Sequence, residues 1–441
     1  MSAAPAGRGL RSGTSTVGAG LLLFGATSYA FLALAARSCG PSRFATLSLL
    51  WITTTTLGAG LFLPLEQELA RFIGDRRGRG APAGAGLISA GVGSALVLAV
   101  LALVTAVWIG PLTTLFNGDR ATVLAVLANL AGQALAYLSR GVAAGTQRYP
   151  IYGGQLAAEG LLRVLAAAAL SAAGVHTAAP FGFALAASTV LSVVVAGPAT
   201  RALLHGRGAP ASRAEVSRNL AWLMLAALAS QALANSTPVL VRLLGPARDI
   251  ATAQFFATLL VARLPLFLFA AVQAVFLPGL SRALGAGDVP AFRATLRRVA
   301  TLVTAIGAAS IVGAALVGTP IVGLVFGPAY RLGRGDLVLL AAGTAVYLCA
   351  GVQAQAALAL SRHRGVATGW LLGLLLGLVI ALLPGPLLLR VEMSFLTGSA
   401  GAAVVLMLTV RRAAGQLGSR PDTTNSLYGN TLPTARGNGK E

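Results

Sequence analysis

The sequence predicts an all-α integral membrane protein of about twelve transmembrane helices, in two six-helix lobes related by a parallel pseudo-two-fold repeat. Hydrophobic residues make up 56% of the 441 residues and charged residues only 10%, whereas about a quarter of a typical soluble domain is charged. Apolar runs of about twenty residues, the length that crosses a bilayer, recur along the whole chain. Short motifs also repeat in the same order in the two halves.

Twelve apolar runs predict the membrane-spanning helices. They are 13–36, 44–65, 87–109, 121–145, 154–174, 181–199, 219–241, 251–278, 299–317, 337–360, 365–389 and 393–410. The first run is interpreted as a helix and not as a cleaved signal peptide, because its counterpart in the repeat lies mid-chain. The predicted domains are an N-terminal lobe, 1–205, a cytoplasmic basic linker, 206–218, a C-terminal lobe, 219–412, and a disordered cytoplasmic tail, 413–441.

Three pairs of motifs define the repeat. Arg37-Ser-Cys-Gly-Pro-Ser-Arg43 corresponds to Arg242-Leu-Leu-Gly-Pro-Ala-Arg248, after the opening run of each half. Phe62-Leu-Pro64 corresponds to Phe276-Leu-Pro278, and Leu115-Phe-Asn-Gly-Asp119 is loosely echoed by Val325-Phe-Gly-Pro-Ala-Tyr330 after the third run of each half. Parallel repeats of this kind place a substrate cavity on the axis between the halves.

The distribution of cations predicts the orientation. With the N-terminus inside, the inner segments carry 23 of the 33 Lys and Arg residues and the outer loops carry 8. Cytoplasmic segments have such an excess, so both termini are expected in the cytoplasm. The strong bias to Arg over Lys suggests a GC-rich bacterial genome, hence a bacterial plasma membrane. The net charge of +21 does not indicate nucleic-acid binding, since the cations lie between apolar runs.

The eighth apolar run contains one arginine. Arg263 is the only charged residue between Asp249 and Arg282, and Pro265 interrupts the helix beside it. A mid-membrane arginine usually faces a bundle interior or a wet cavity on a ligand path. We therefore predict that Arg263 binds substrate and that Pro265 is a hinge. The alternative is an arginine bonded to carbonyls of a neighbouring broken helix.

Gln231 and Asn235 lie four residues apart in the seventh run and hence on one helix face. They are predicted to bind substrate; the alternative is hydrogen bonding between helices. Pro238 is predicted to kink the same helix.

Two further pairs contain acids. Glu66 and Glu68 end the second run and are interpreted either as a gate or as a surface charge cluster with nearby arginines. Glu159 and Arg163, four residues apart in the fifth run, are predicted to form a structural ion pair. The histidines and cysteines have no metal-site spacing, so neither a metal nor a cofactor is expected. No nucleotide-binding motif and no long outer loop with paired acids is present, so no enzyme activity is predicted.

Four further segments are distinctive: Phe326-Gly-Pro-Ala-Tyr330, Arg263-Leu-Pro265, Phe276-Leu-Pro-Gly-Leu-Ser-Arg282 and Leu65-Glu-Gln-Glu-Leu-Ala-Arg71. With the twelve runs, they resemble the polysaccharide-flippase branch of the multidrug/oligosaccharidyl-lipid/polysaccharide (MOP) superfamily. The resemblance implies a V-shaped pair of lobes, a central cavity lined by the first, second, seventh and eighth helices, and alternating access. It implies export of a polyprenyl-phosphate-linked oligosaccharide or polysaccharide unit, with that lipid-linked glycan, membrane lipids and glycan-synthesis enzymes as partners.

Two alternatives stay open at this point: a small-molecule exporter of the same fold, and a transport-inactive membrane scaffold of a glycan-synthesis complex. The run 13–36 has no acid, whereas cation antiporters of the superfamily keep one there, which argues against an antiporter. The first two runs also lack the arginines expected of a peptidoglycan-precursor flippase. A monomer is expected.

Overall fold

The computed structural model describes residues 6–198, 200–201, 220–245, 249–266, 280, 283–284 and 288–418. All regular structure in this part is helical, and ten of its helices are long and apolar enough to cross a membrane. The predicted linker, the Phe276–Pro278 motif and residues 419–441 lie outside the described residues.

Thirteen α-helices make up the described part of the chain. In chain order they are α1 (Ala6–Gly78), α2 (Gly84–Val107), α3 (Ile109–Leu115), α4 (Arg120–Gly145), α5 (Tyr149–Ala172), α6 (Ala178–Ser192), α7 (Leu220–Leu244), α8 (Asp249–Ala262), α9 (Val289–Gly313), α10 (Thr319–Val325), α11 (Arg334–Ala359), α12 (His363–Leu382) and α13 (Leu387–Gly418). A π-helical segment, Ala314–Gly318, joins α9 to α10.

The first helix reverses direction at Gly40. Gly40 has φ 71° and ψ 167°, a conformation that glycine adopts without steric penalty. Phe31 and Trp51 would lie about 30 Å apart on a straight helix, yet their ring centroids are 6.2 Å apart. Residues 6–39 and 41–78 are therefore two antiparallel arms, and the first two predicted runs are separate crossings.

Some predicted boundaries are wrong. The second run was expected to end at Leu65, but the helix continues to Gly78. The eleventh run was expected to reach Leu389, but α12 ends at Leu382, because Pro384 and Pro386 follow and a proline cannot continue the helical hydrogen bonds. Residues 413–418, predicted to begin a disordered tail, belong to α13.

Two large apolar cores define the two lobes. One core is built entirely from residues between Ala226 and Ala414. The other extends from Phe31 to Leu185 and continues into α8 and the end of α10 through residues such as Phe256 and Phe326. The N-terminal core therefore crosses to the C-terminal lobe, and the lobes meet at a packed interface. This arrangement confirms the predicted fold of two helical lobes.

The orientation of the helices can be tested with reporters fused at loop positions. We expect fusions after Arg79 and Arg364 to report the cytoplasm and fusions after Asp119 and Arg334 to report the outside, because the first pair borders the arginine-rich loops. Alkaline phosphatase, active only outside, and green fluorescent protein, fluorescent only inside, measure this. Swapped signals at two of the four positions would contradict the predicted topology.

Candidate functional site

Arg263 lies where α8 is interrupted. The helix ends at Ala262, and Pro265 follows two residues after the arginine. The backbone N–H of Arg263 donates to the carbonyls of Leu259 and Leu260 at 3.0 and 3.2 Å, so the helical pattern is distorted at this turn. Its Nη1 donates to Asn235 Oδ1 at 2.8 Å. Arg263 is therefore oriented by a side chain of α7.

Asn235 also connects the two lobes. Its Nδ2 donates to Thr56 Oγ1, on the second arm of α1, at 2.9 Å and lies 3.5 Å from Gln231 Oε1. The structure thus brings together all three residues predicted to bind substrate, Arg263, Asn235 and Gln231. It adds Thr56, which forms the contact from the other lobe.

The guanidinium of Arg263 is incompletely satisfied. Its Nη2 is buried and has no hydrogen-bond partner. No carboxylate in the described part of the chain forms an ion pair with Arg263. The Tyr29 hydroxyl itself donates to Leu260 O at 2.6 Å. A buried N–H of this kind is a position that an anionic oxygen could fill.

A cavity of about 400 Å³ is lined by Gln231, the neighbour of Asn235, and not by Arg263 itself. Gln231 and Tyr347 line it, together with Gln67, Gln355 and Trp370. The rings of Tyr347 and Trp370 pack with centroids 5.0 Å apart. Amide side chains beside aromatic rings suit a ligand that carries hydroxyl groups on an apolar frame. We refer to this space as the interlobe cavity.

The two predicted hinge prolines lie on the helices that hold this site. Pro238 is inside α7, which continues through it to Leu244. Pro265 follows the interruption in α8. Each proline frees a backbone carbonyl one turn earlier, which would allow bending. The hinge role of both prolines stays a prediction.

A second cluster of charges is buried inside the N-terminal lobe. Arg163 Nη2 donates to Glu159 Oε1, which forms the predicted pair. Arg140 donates from Nη1 to Glu159 Oε2 and from Nε to Glu66 Oε2, both at 3.3 Å. Tyr152 OH donates to Glu66 Oε1 at 2.9 Å. Glu66, Arg140, Glu159 and Arg163 therefore form an alternating ion cluster, and each is at most 6% exposed.

The structure separates Glu66 from Glu68, which the sequence had grouped. Glu68 is partly exposed and pairs with the exposed Arg71 at 2.6 Å, and Arg71 pairs with Asp75 at 2.8 Å. Residues two apart on a helix do not face each other, so Glu66 turns inward. The interpretation of Glu66 as part of a surface cluster is wrong, whereas it holds for Glu68. A gating role is a separate prediction for both residues.

Arg140 is the main residue that the sequence analysis missed. It lies within the predicted run 121–145, where no role was assigned to it, and it is buried inside α4. Its guanidinium also lies over the Tyr137 ring, 4.3 Å from the centroid. A polar run on one face of α4, Asn129, Gln133 and Tyr137, was the available signal. All three line a cavity of about 240 Å³ beside the ion cluster.

No group of three metal-ligating side chains is found within the described ranges. The carboxylates of the ion cluster are engaged by arginines and tyrosine, so they are not arranged as ligands for a metal ion. The arrangement instead keeps four charges neutralised in pairs inside the lobe.

The chain is similar to solved transporter structures over nearly its whole length. An inward-facing multidrug resistance MATE family transporter of the MOP superfamily shares 15% identity, with 90% of this chain and 95% of that chain covered and a TM-score of 0.70. A eukaryotic MATE transporter shares 14% identity, with 92% and 99% covered and a TM-score of 0.69. An outward-facing MATE family transporter of the MOP superfamily shares 14% identity, with 93% of this chain and 97% of that chain covered and a TM-score of 0.65. At this identity the likeness shows the fold, which is that of MATE transporters.

Two proteins of Mycobacterium tuberculosis (strain ATCC 25618 / H37Rv) are similar in sequence. The uncharacterized protein Rv3630 is 28% identical over 413 residues, which cover 90% of this chain and 92% of that protein. The uncharacterized protein Rv1510 is 27% identical over 420 residues, which cover 93% and 94%. No protein-family model matches the chain.

Proposed function

We propose that the protein is an alternating-access exporter of the bacterial plasma membrane that moves a polyprenyl-phosphate-linked glycan outward. The observation that supports this best is Arg263, held at the lobe interface by Asn235 with Nη2 buried and unpartnered. A phosphate oxygen would satisfy that nitrogen, and a guanidinium binds phosphate strongly because it can donate two hydrogen bonds at once.

The interlobe cavity supports a glycan as the group next to the phosphate. Its amides, Gln67, Gln231 and Gln355, can each donate to and accept from sugar hydroxyls. A ligand with buried hydroxyl groups needs such partners, since an unmade hydrogen bond costs about 1–3 kcal/mol. A cationic drug would instead meet the positive charge of Arg263, which disfavours it.

The contacts around Arg263 fall into two classes that suit alternating access. The Arg263–Asn235 bond lies within the C-terminal lobe and survives separation of the lobes. The bonds Asn235–Thr56 and Tyr29–Leu260 cross between lobes and must break when the lobes separate. The proposed phosphate site therefore stays assembled on one lobe while access to it changes.

Deletion of the gene tests the proposal through the lipids of the cell. We expect one lipid-linked sugar to accumulate on the cytoplasmic leaflet, because its exit is blocked while its synthesis continues. Extraction of polyprenyl lipids and mass spectrometry measure this, and a plasmid copy of the wild-type gene should restore the normal level. Unchanged amounts of every lipid-linked sugar would reject a glycan substrate.

A small-molecule exporter of the same fold is the second candidate, and one observation favours it. The first apolar run has no acid, but α1 and α5 bring Glu66 and Glu159 into the interior of the N-terminal lobe. Buried carboxylates can take up protons, and proton uptake could drive export. A deletion strain with raised sensitivity to cationic drugs and normal lipid-linked sugars would favour this candidate.

A further inference from the structure

Arg37, at the end of the first arm of α1, reaches across to the C-terminal lobe. Its Nε donates to the carbonyl oxygen of Val325 at 3.1 Å, and its Nη2 donates to that of Leu324. These are the last carbonyls of α10. Carbonyls at a helix C-terminus have no partner within the helix and lie at the negative end of its dipole, so a cation is favoured there.

Arg242, near the end of α7, makes the equivalent contact from the C-terminal lobe to the N-terminal lobe. Its Nε lies 3.4 Å from the carbonyl oxygen of Leu115 and its Nη2 3.5 Å from that of Thr114. Its Nη2 also donates to Asn117 Oδ1. Thr114 and Leu115 are the last residues of α3 in the N-terminal lobe.

The two contacts are equivalent under the internal repeat. Arg37 and Arg242 open the repeated motif that follows the first helix of each half, and Leu115 and Val325 open the motif that follows the third. In each contact Nε faces the carbonyl oxygen of the last residue of a helix in the opposite lobe, and Nη2 faces that of the residue before it. Each arginine therefore caps the C-terminus of a helix in the other lobe, so the two contacts are reciprocal between the lobes.

An aromatic cluster lies beside the Arg37 contact. Phe44 is fully buried and lies 5.9 Å from the Phe256 ring, 6.5 Å from the Phe326 ring and 5.6 Å from the Tyr330 ring, between centroids. Tyr330 OH donates to Ala36 O at 2.6 Å. We call this end of the molecule, where α1 reverses, the Gly40 face. The lobes are packed tightly together there.

The interlobe cavity lies toward the opposite end. On the second arm of α1 it begins at Ala59, nineteen residues or about 28 Å along the helix from Gly40. On α11 it is lined by residues from Tyr347 to Leu358, the half of that helix farther from Arg334 and the Gly40 face. The lobes are therefore in contact at the Gly40 face, and the interlobe cavity lies between them nearer the other end of the molecule.

We propose that Arg37 and Arg242 are paired latches that hold the lobes closed at the Gly40 face, and that transport requires both to release. This rests on the alternating-access part of the proposed function and not on its substrate. Neutral carbonyl acceptors suit a latch that must open in every cycle, because water can replace them at little net cost. The loop charges predict that this face is external, so the described conformation admits substrate from the cytoplasm.

Spin-label distances across the Gly40 face test the latches without any substrate. Labels at Arg120→Cys and Arg334→Cys, which begin the equivalent helices α4 and α11 and are both exposed, report the separation of the lobes in a Cys39→Ala, Cys349→Ala background. We expect one short distance in the parent protein. Each latch changed to alanine should raise the ratio of open to closed populations about tenfold, the effect of losing one charge-assisted contact.

Three comparisons make the result decisive. Arg43→Ala removes another exposed arginine of the same loop, for which the described residues show no hydrogen bond to the other lobe, and should leave the distance unchanged. Labels at Arg120→Cys and Ala173→Cys, within one lobe, should give the same distance in all variants if they are folded. A parent-like distribution in the Arg37→Ala/Arg242→Ala variant would overturn the proposal.

The single variants test reciprocity. Because the contacts are equivalent, Arg37→Ala and Arg242→Ala should shift the populations by similar amounts, and the double variant by more than either. A shift with only one of them would reject paired latches in favour of a single contact. Normal export by Arg263→Ala together with open populations in the latch variants would reject the proposed anion site and keep the latches.

Discussion

Replacing Arg263 with alanine is expected to abolish export while leaving the amount of protein in the membrane close to normal. Burying an unpaired arginine costs at least ~2.5–3.5 kcal/mol, so its removal does not destabilise the fold, and Asn235 keeps its bond to Thr56. What is lost is the buried Nη2 donor that the proposed phosphate would occupy. Accumulation of the lipid-linked sugar, relative to the deletion strain, measures the loss.

Two other arginine variants separate charge from geometry. Arg263→Lys keeps the positive charge but cannot donate two parallel hydrogen bonds, so partial export is expected. Arg297→Ala removes an exposed arginine of α9 in the same lobe and should have no effect. Full export by Arg263→Ala would show that this arginine is not the anion site, and loss of the folded protein would show that its role is structural.

Replacing Glu159 with glutamine is expected to reduce the amount of folded protein strongly. The change leaves Arg163 buried without a carboxylate and removes one of the two partners of Arg140. Breaking a buried ion pair from one side typically costs about 3–5 kcal/mol, a large part of the stability of a typical protein. Fluorescence-detected size-exclusion chromatography of detergent extracts, with temperature steps, measures the loss.

The ion cluster supplies its own comparisons for this result. Glu159→Gln with Arg163→Gln should recover part of the loss, because the unpaired charge is then removed; Arg140 keeps Glu66. Glu68→Gln makes the same chemical change in the partly exposed pair with Arg71, outside the buried cluster, and should reduce the amount of folded protein much less. Normal levels of Glu159→Gln with export abolished would instead assign the pair a functional role.

The fold was predictable because each membrane-spanning helix is determined by the apolar composition of its own segment. A run of about twenty apolar residues is long enough to cross the bilayer, and the break between the runs 13–36 and 44–65 predicted two crossings where α1 reverses. Boundaries were less predictable, since α13 continues past its apolar run through Arg411 and Arg412, which are exposed and can stay helical in water. Hydropathy therefore locates the part of a helix that lies in the membrane, but not the residues at which the helix begins and ends.

The site was predictable only in its parts. Arg263 and Asn235 could each be identified as unusual polar residues in apolar runs, but their bond joins residues on separate helices and depends on how α7 packs against α8. The latch contact of Arg37 spans 288 positions in sequence. Its motif was visible as a repeat, yet a repeat indicates symmetry and not which carbonyl lies opposite.

The ion cluster has a consequence for biogenesis. Its four charged members and their hydroxyl partners Tyr152 and Thr189 all belong to the N-terminal half, so the cluster can form while the second half is still on the ribosome. Phe44, in contrast, must wait for Phe256 and Tyr330 before its face is covered. The charge cluster of the first half can thus form early, whereas the Gly40 face can close only after residues up to Tyr330 have been made.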